Sequence, residues 1–322
     1  MMVLEIVGGL IYLLLAGDLL VRGSVALARR AQIPPAIVGL TIVAFGTSAP
    51  ELFVSLQAAV SGHAGISIGN VVGSNIANSL MVLGVPALIA ATGATRDSTR
   101  VDVVWMLGVS ALFVALCFMG PLGAWKGGLL LLLLAAMILH SLQRARREPT
   151  GEAGEEELEH LLGLPGQKRL ITLFLVLGAV GLPLGAYLMV DGAVQLAETL
   201  GVTDAVIGLS VVALGTSLPE LATTVAAALR RHADVAIGNV LGSNLFNLLA
   251  IMGTVSVLAP EPIPVPPAFL RFDLFAMLAA SLAVAAIAWR GGAVTRGTGA
   301  VMFGAYLAYL VLLFAQPGLR TG

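Results

Sequence analysis

Two glutamates in apolar stretches are the residues of this chain best placed to do chemistry. Glu51 and Glu220 each follow a proline directly, and each stands within a run of apolar residues. A carboxylate at membrane depth costs roughly 2.5–3.5 kcal/mol to insert, so such residues are rare without a functional reason. Neither run offers a Lys or Arg close to its glutamate. The pattern therefore predicts two carboxylates that bind a cation.

The segment before each glutamate supplies further oxygen ligands. The sequence Gly-Thr-Ser-x-Pro-Glu occurs twice, with Thr47 and Ser48 before Glu51, and Thr216 and Ser217 before Glu220. Because proline has no N–H group, the carbonyl four residues before it loses its usual partner in a helix. Carboxylates, hydroxyls and carbonyls are all oxygen donors, which favour hard cations such as Ca²⁺ and Na⁺.

A second polar segment, Gly-Asn-x-x-Gly-Ser-Asn-x-x-Asn, follows each glutamate. Its glycines allow helices to approach closely, a pattern that plain helix packing also explains. The polar pairs that share one helix face are Ser74 with Asn78, and Ser243 with Asn247. Two interpretations of Asn70 and Asn239 stay open, because either residue could contact the ion or satisfy backbone groups freed by the prolines.

Both motifs belong to one duplicated stretch. Residues 39–84 align with residues 208–253 at a constant offset of 169 without a gap, and 24 of the 46 positions are identical. Weaker similarity extends upstream, from residues 19–28 to residues 188–197. A duplicated site between two similar halves is typical of transporters, which bind their substrate near the membrane midplane.

Composition identifies an integral membrane protein. Hydrophobic residues make up 58% of the chain and charged residues 11%, whereas soluble domains carry roughly 25% charged residues. Mean hydropathy is +0.98. The apolar runs fall at about 3–28, 36–60, 66–92, 101–119, 123–143, 170–198, 205–229, 235–259, 268–289 and 297–315. They do not alternate as barrel strands do, so they predict ten transmembrane helices.

We expect an all-α protein built from two repeats of five helices. The predicted units are a first repeat at 1–143, a short linker at 144–169 and a second repeat at 170–322. Because five is an odd number, the second repeat would enter the membrane from the opposite face, which gives inverted topology. The linker is acidic but has no EF-hand pattern, so we interpret it as a solvated connection.

The basic residues predict the orientation. Of the 17 Lys and Arg, thirteen fall in loops on one side of the predicted bundle. The positive-inside rule makes that side cytoplasmic. Both termini are then expected outside, the linker inside, and the protein in a prokaryotic inner membrane.

At these motifs the chain resembles the sodium/calcium exchanger family, within the calcium/cation antiporter superfamily. The resemblance covers the ten-helix layout and is closest over residues 19–84 and 188–253. It implies that Ca²⁺ is exchanged against Na⁺ by alternating access, with the first and sixth helices sliding as a gate. It also implies twelve ligand residues: Glu51, Thr47, Ser48, Ser74, Asn78 and the Ala44 carbonyl, with Glu220, Thr216, Ser217, Ser243, Asn247 and the Ala213 carbonyl.

The chain departs from many members of the family at one position. Asn247 stands where they carry an Asp, so the matching residues of the two repeats, Asn78 and Asn247, are both neutral. Two ionised glutamates would be neutralised by one Ca²⁺ or two Na⁺. The number of Na⁺ ions, and the choice among Na⁺, K⁺ and H⁺ as coupling ion, stay open.

Other function classes fit less well. An intramembrane hydrolase with Ser48 or Ser217 as nucleophile would need a general base within reach, and the motifs offer no His or Lys. A membrane scaffold would not require buried acids. We therefore expect a transporter and not an enzyme. Its partners would be Ca²⁺, Na⁺ and the lipid bilayer, with no cofactor, no nucleic acid and no obligate protein partner.

Overall fold

A computed structural model describes residues 2–30, 48–89, 97–147, 165–229, 233–289 and 294–315. Within these ranges the chain forms helices joined by short turns and an isolated bridge between Leu122 and Ile263. In chain order the helices are α1 (Met2–Arg30), α2 (Ala49–Val60), α3 (Ala64–Ile89), α4 (Asp97–Phe118), α5 (Ala124–Arg147), α6 (Lys168–Leu200), α7 (204–216), α8 (Leu218–Leu229), α9 (233–258), α10 (Phe269–Trp289) and α11 (Arg296–Ala315).

The all-α membrane fold predicted from the sequence is confirmed. Nine helical stretches of the described residues are long and apolar enough to cross a membrane, one of them running from α7 into α8. They correspond to nine of the ten predicted spans. Of the remaining span, 36–60, the structure describes α2 as a 12-residue helix. Residues 31–47 lie outside the described residues, and so do residues 148–164 of the predicted linker.

Helices α5 and α6 both extend into the predicted linker. Helix α5 continues to Arg147 and α6 begins at Lys168. The residues that extend α5, Arg-Ala-Arg-Arg, are all good helix formers. The hydropathy pattern ends earlier because these residues are charged.

The duplicated sequence folds twice with the same element boundaries. At an offset of 169 residues, α2 matches α8, and the two helices begin and end at equivalent positions. Helices α3 and α9 match as well, down to a π-helical turn that begins at Asn78 in one and at Asn247 in the other. π-helical turns inside α-helices occur frequently at functional sites, and here both begin at a predicted ligand.

The helices break where the two motif prolines predict a break. Ser48 and Ser217 stand directly before α2 and α8, with backbone angles of φ −92° and ψ 7°, and φ −81° and ψ 4°. Pro50 and Pro219 then occupy the first turn of the new helix, where the missing N–H group costs nothing. Each glutamate is therefore placed in the first turn of a helix.

Helices α1 and α6 pack against each other through glycines along their length. A Cβ atom built on Gly9 would lie 2.6 Å from the Met189 nitrogen, and one on Gly178 would lie 2.7 Å from Leu20 Cβ. At Gly192 the closest approach is 2.8 Å, to Ile6. Such contacts are possible only without a side chain. The pair attaches to the other helices mainly through α2 and α7.

The other helices cross between the two repeats. Helix α2 packs against the C-terminal half of α9, which includes its π-helical turn, and α8 packs against the C-terminal half of α3. Helix α3 also lies along α7, where a Cβ atom on Gly73 would come within 2.6 Å of the Leu209 carbonyl oxygen. The first motif of each repeat therefore meets the second motif of the other repeat.

Candidate functional site

The two motif glutamates lie together in the interior of the bundle. Glu51 and Glu220 are both 0% exposed, in the first turns of α2 and α8. The starts of α2 and α8 meet, because Ser48 hydrogen-bonds to Glu220. The helix dipole favours negative charge at each position, but two buried carboxylates still need positive charge to offset their desolvation. The pair is therefore suited to binding a cation.

One hydroxyl links the repeats directly at the carboxylates. Ser48 Oγ donates a hydrogen bond to Glu220 Oε1 at 3.3 Å, although the two residues belong to different repeats. The equivalent serine behaves differently, because Ser217 Oγ has no hydrogen-bond partner among the described residues. Ser48 therefore orients the glutamate of the other repeat, while the Ser217 hydroxyl remains available to a ligand.

Asn70 holds Glu51 in place through the backbone. Its amide nitrogen donates to the Glu51 carbonyl oxygen at 3.2 Å and to Ser55 Oγ at 2.9 Å. Its amide oxygen accepts a hydrogen bond from Thr216 Oγ1 at 3.0 Å. Both ends of this buried side chain are occupied by protein groups.

Asn239 repeats this arrangement at the other glutamate. Its amide nitrogen lies 3.4 Å from the Glu220 carbonyl oxygen and 3.1 Å from Thr224 Oγ1. Thr224 stands where the first repeat has Ser55. Each asparagine binds the carbonyl of its glutamate, which is not a carbonyl freed by the prolines, and so has a role that neither interpretation included: it orients that residue.

Several buried polar atoms near the carboxylates lack a hydrogen-bond partner among the described residues. They are both carboxylate oxygens of Glu51, the hydroxyls of Ser74 and Ser217, and the side-chain amides of Asn78 and Asn247. Buried polar groups are nearly always paired, and an unpaired one costs about 1–3 kcal/mol. The helix crossings bring Asn247 to α2, and Asn78 to α8. These atoms are suited to a cation that is bound by oxygen.

The structure locates ten of the twelve predicted ligand residues. Thr47 and Ala44 lie outside the described residues. Ser243 is 4% exposed on α9, and Thr216 is fully buried. The Ala213 carbonyl accepts the Ser217 backbone N–H at 3.1 Å and lies 3.5 Å from the Thr216 hydroxyl.

The donors of this site are oxygen atoms, and only two of its residues are acids. Within the described ranges the structure contains no group of three or more His, Cys, Asp or Glu side chains that could hold a metal ion. A site of two carboxylates with neutral oxygens suits a hard cation better than zinc or copper, which prefer sulfur or imidazole.

Sequence reasoning missed the hydroxyls that hold the two asparagines. Ser55 and Thr224 occupy matching positions in the repeats and bind Asn70 and Asn239. The sequence does contain a signal, because the matching position is Ser in one repeat and Thr in the other, so both repeats have a hydroxyl there. It was overlooked because a hydroxyl inside an apolar helix usually bonds to its own backbone.

Comparison with known proteins gives one consistent result. A family model described as sodium/calcium exchanger protein matches residues 2–143 and 170–315. The inner membrane protein YrbG of Escherichia coli is 34% identical over 309 residues, covering 95% of this chain and 94% of that protein. The sodium/calcium exchanger MaX1 of Methanosarcina acetivorans is 32% identical over 340 residues, covering 95% and 96%. A solved structure of the sodium-calcium exchanger NCX_Mj, soaked with Na⁺ and Sr²⁺, superposes with a TM-score of 0.66 at 28% identity, covering 96% and 97%.

Proposed function

The chain belongs to the sodium/calcium exchanger family of membrane transporters, and we propose that it exchanges Ca²⁺ for Na⁺ across the membrane. The observation that carries this proposal is the pair of fully buried glutamates among neutral oxygen donors. One Ca²⁺ or two Na⁺ would neutralise the two carboxylates. Binding of one Ca²⁺ or of two Na⁺ would offset the free-energy cost of burying two carboxylates.

The proposed ligands are the twelve residues of the two motifs. Glu51 and Glu220 supply the charge, and the threonines, serines, asparagines and two carbonyls complete an oxygen shell. Support comes from the unpaired atoms of Ser74, Asn78 and Asn247, which are buried where α2 and α8 cross the other repeat. Ca²⁺ takes about 6–8 oxygen ligands in flexible geometry, which a site of this size can provide.

Exchange without leak follows from the charge of the empty site. With both carboxylates bare, conversion between inward-facing and outward-facing forms would move two uncompensated charges through an apolar environment. A ligand shifts such an equilibrium only through its different affinity for the two states. Occupancy by Ca²⁺ or Na⁺ therefore permits the conversion, and the empty site opposes it.

The pair α1 and α6 is the proposed gate. Its two helices are held together by backbone contacts at glycines, whereas α2 and α7 make its main contacts with the other helices. The difference between the close contacts within the pair and its contacts with the other helices supports motion of the pair as one body across the ion site. The two halves, 1–143 and 170–322, would then be inverted repeats around that site, with the 144–169 linker in the cytoplasm and both termini outside.

The experiment that tests this function is calcium uptake by proteoliposomes. Vesicles loaded with Na⁺ are diluted into media that contain radioactive Ca²⁺ together with Na⁺, K⁺ or choline. We expect uptake only when Na⁺ is higher inside than outside. A matched variant, Glu51→Gln with Glu220→Gln, should show none.

Two other outcomes would change the proposal in different ways. Uptake that ignores Na⁺ but follows a pH or K⁺ gradient would assign another coupling ion, an alternative left open by the neutral Asn78 and Asn247. Equal uptake by wild type and the double variant would contradict the assignment of the site itself.

A further inference from the structure

A buried acid outside the cation site is the basis of this inference. Asp273 ends the π-helical turn Phe269–Asp273 at the start of α10, and its side chain is 0% exposed. The pattern Arg-x-Asp-x-x-x-Met-Leu begins at Arg271 and also at Arg100, so the matching acid of the first repeat is Asp102, which is only half-buried. An ionisable residue inside a membrane span suggests a functional site by default.

Among the described residues, only one of the two carboxylate oxygens of Asp273 has a hydrogen-bond partner. Tyr309 OH, on α11, donates to Asp273 Oδ1 at 3.0 Å, and the Tyr309 ring stacks on Phe272 with centroids 5.9 Å apart. In the part of the chain that the structure describes, Asp273 Oδ2 has no partner, and neither does the buried hydroxyl of Tyr306. One carboxylate oxygen of Asp273 is therefore bound by a phenol of α11, and the other is buried without a partner in the described chain.

The groups around Asp273 include no cation that could pair with it. Arg271, two residues earlier, is exposed, and among the described residues no basic side chain forms an ion pair with Asp273. Helix α10 packs against α3, which has no titratable residue between Ala64 and Ile89, and against α4.

The titratable side chains described on α4 are Arg100, Asp102 and Cys117. Phe118 contacts Phe275 with ring centroids 6.1 Å apart, so Asp273 lies level with the C-terminal end of α4. Arg100 and Asp102 stand at the opposite end, about 24 Å away at 1.5 Å per residue. Arg296 lies at the start of α11, where it donates to the Ile89 carbonyl oxygen. Lys126, at the start of α5, also lies at this end of α4, but its Nζ donates to the carbonyl oxygens of Leu116 and Gly120 and forms no ion pair with Asp273 among the described residues.

We propose that Asp273, with Tyr309, is a proton-binding site separate from the site of the transported cations. The proton is bound at Oδ2, while Oδ1 remains a carbonyl oxygen that accepts the Tyr309 hydrogen bond. A metal ion does not fit, because one carboxylate and one phenol fall short of the roughly six oxygens that Ca²⁺ requires. A proton alone neutralises the acid, which otherwise is a buried carboxylate without a cation.

Infrared spectroscopy of the purified full-length protein in liposomes tests this site without relying on transport. A protonated carboxylic acid has a C=O stretching band that an ionised carboxylate lacks. At mildly acidic pH, and at one fixed Ca²⁺ concentration, we expect Asp273→Asn to remove one such band. Tyr309→Phe should shift that band to higher frequency, because the carbonyl oxygen loses its hydrogen bond. Glu261→Gln, at an exposed acid, should leave it unchanged.

The pH dependence of unfolding supplies a second readout. Because the folded protein keeps this proton and the unfolded chain releases it, the stability of wild type should fall as pH rises above the ordinary carboxylate range. The side chain of Asp273→Asn is neutral at every pH. The free energy of unfolding of this variant should therefore depend less steeply on pH, by the contribution of one proton. Absence of the band in wild type would overturn the proposal, and so would equal slopes in the two proteins. Neither result depends on which cations are exchanged.

Discussion

The two repeats have matching helices, yet their first motifs do not make the same hydrogen bonds. Ser48 Oγ donates to Glu220 Oε1, whereas Ser217 Oγ has no partner among the described residues. The motif thus specifies which residues meet, and the packing around each copy decides which of the hydrogen bonds form.

The largest effect is expected when the charge of one glutamate is removed at a time, which tests whether Glu51 and Glu220 contribute equally. Glu51→Gln and Glu220→Gln should each lower apparent Ca²⁺ affinity about a hundredfold or more, because breaking a buried charge interaction costs about 3–5 kcal/mol. The measurement is the Ca²⁺ dependence of Na⁺-driven uptake in proteoliposomes. Near-normal exchange by either variant would remove that glutamate from the site.

Two glycines test how much the close packing of α3 on α7 contributes to stability. Gly73→Ala should destabilise the protein by about 1–3 kcal/mol, because the new Cβ atom would lie 2.6 Å from the Leu209 carbonyl oxygen and 2.7 Å from Ala213 Cβ. Gly304→Ala, on the exposed face of α11, should be neutral or slightly stabilising, since no described atom lies within 4 Å of a built Cβ atom and alanine is the better helix former. Thermal unfolding in detergent compares the two variants. An equal change in both would contradict the close approach of Gly73 to α7.

The matched asparagines should give the smallest contrast. Asn70→Ala removes the amide donor from the Glu51 carbonyl and the acceptor from Thr216, so we expect apparent Ca²⁺ affinity to fall about tenfold. Asn239→Ala should cost about threefold or less. The Glu220 carbonyl keeps the hydroxyl of Thr224 as a donor at 2.7 Å. Uptake titrations with both variants measure the ratio, and a larger loss at Asn239 would contradict this account.

The sequence predicted the parts of the fold that depend on local chemistry. Apolar runs fix the helices, because membrane depth demands about 20 apolar residues for each span. The prolines at 50 and 219 predict the break before each glutamate, because proline cannot donate the hydrogen bond of a continuous helix. Duplication identifies both glutamates as a pair, since an isolated buried acid would have several explanations.

Features that depend on tertiary contacts could not be predicted. No residue preference marks the π-helical turns at Asn78 and Asn247, because the shift of backbone hydrogen bonds depends on the packing around them. The bond from Ser48 to Glu220 breaks the symmetry of two nearly identical motifs. Asp273 follows Arg271 closely, which in the sequence is typical of an interfacial anchor, and only the structure reveals its burial.

The glycine contacts between α1 and α6 limit the motions open to the two halves. Contacts of backbone on backbone have no flexible layer to absorb a shift, and protein interiors are nearly incompressible. The two helices are therefore expected to move as one body, although they belong to different repeats. Under the proposed gating by this pair, access from one face of the membrane would not widen independently of access from the other.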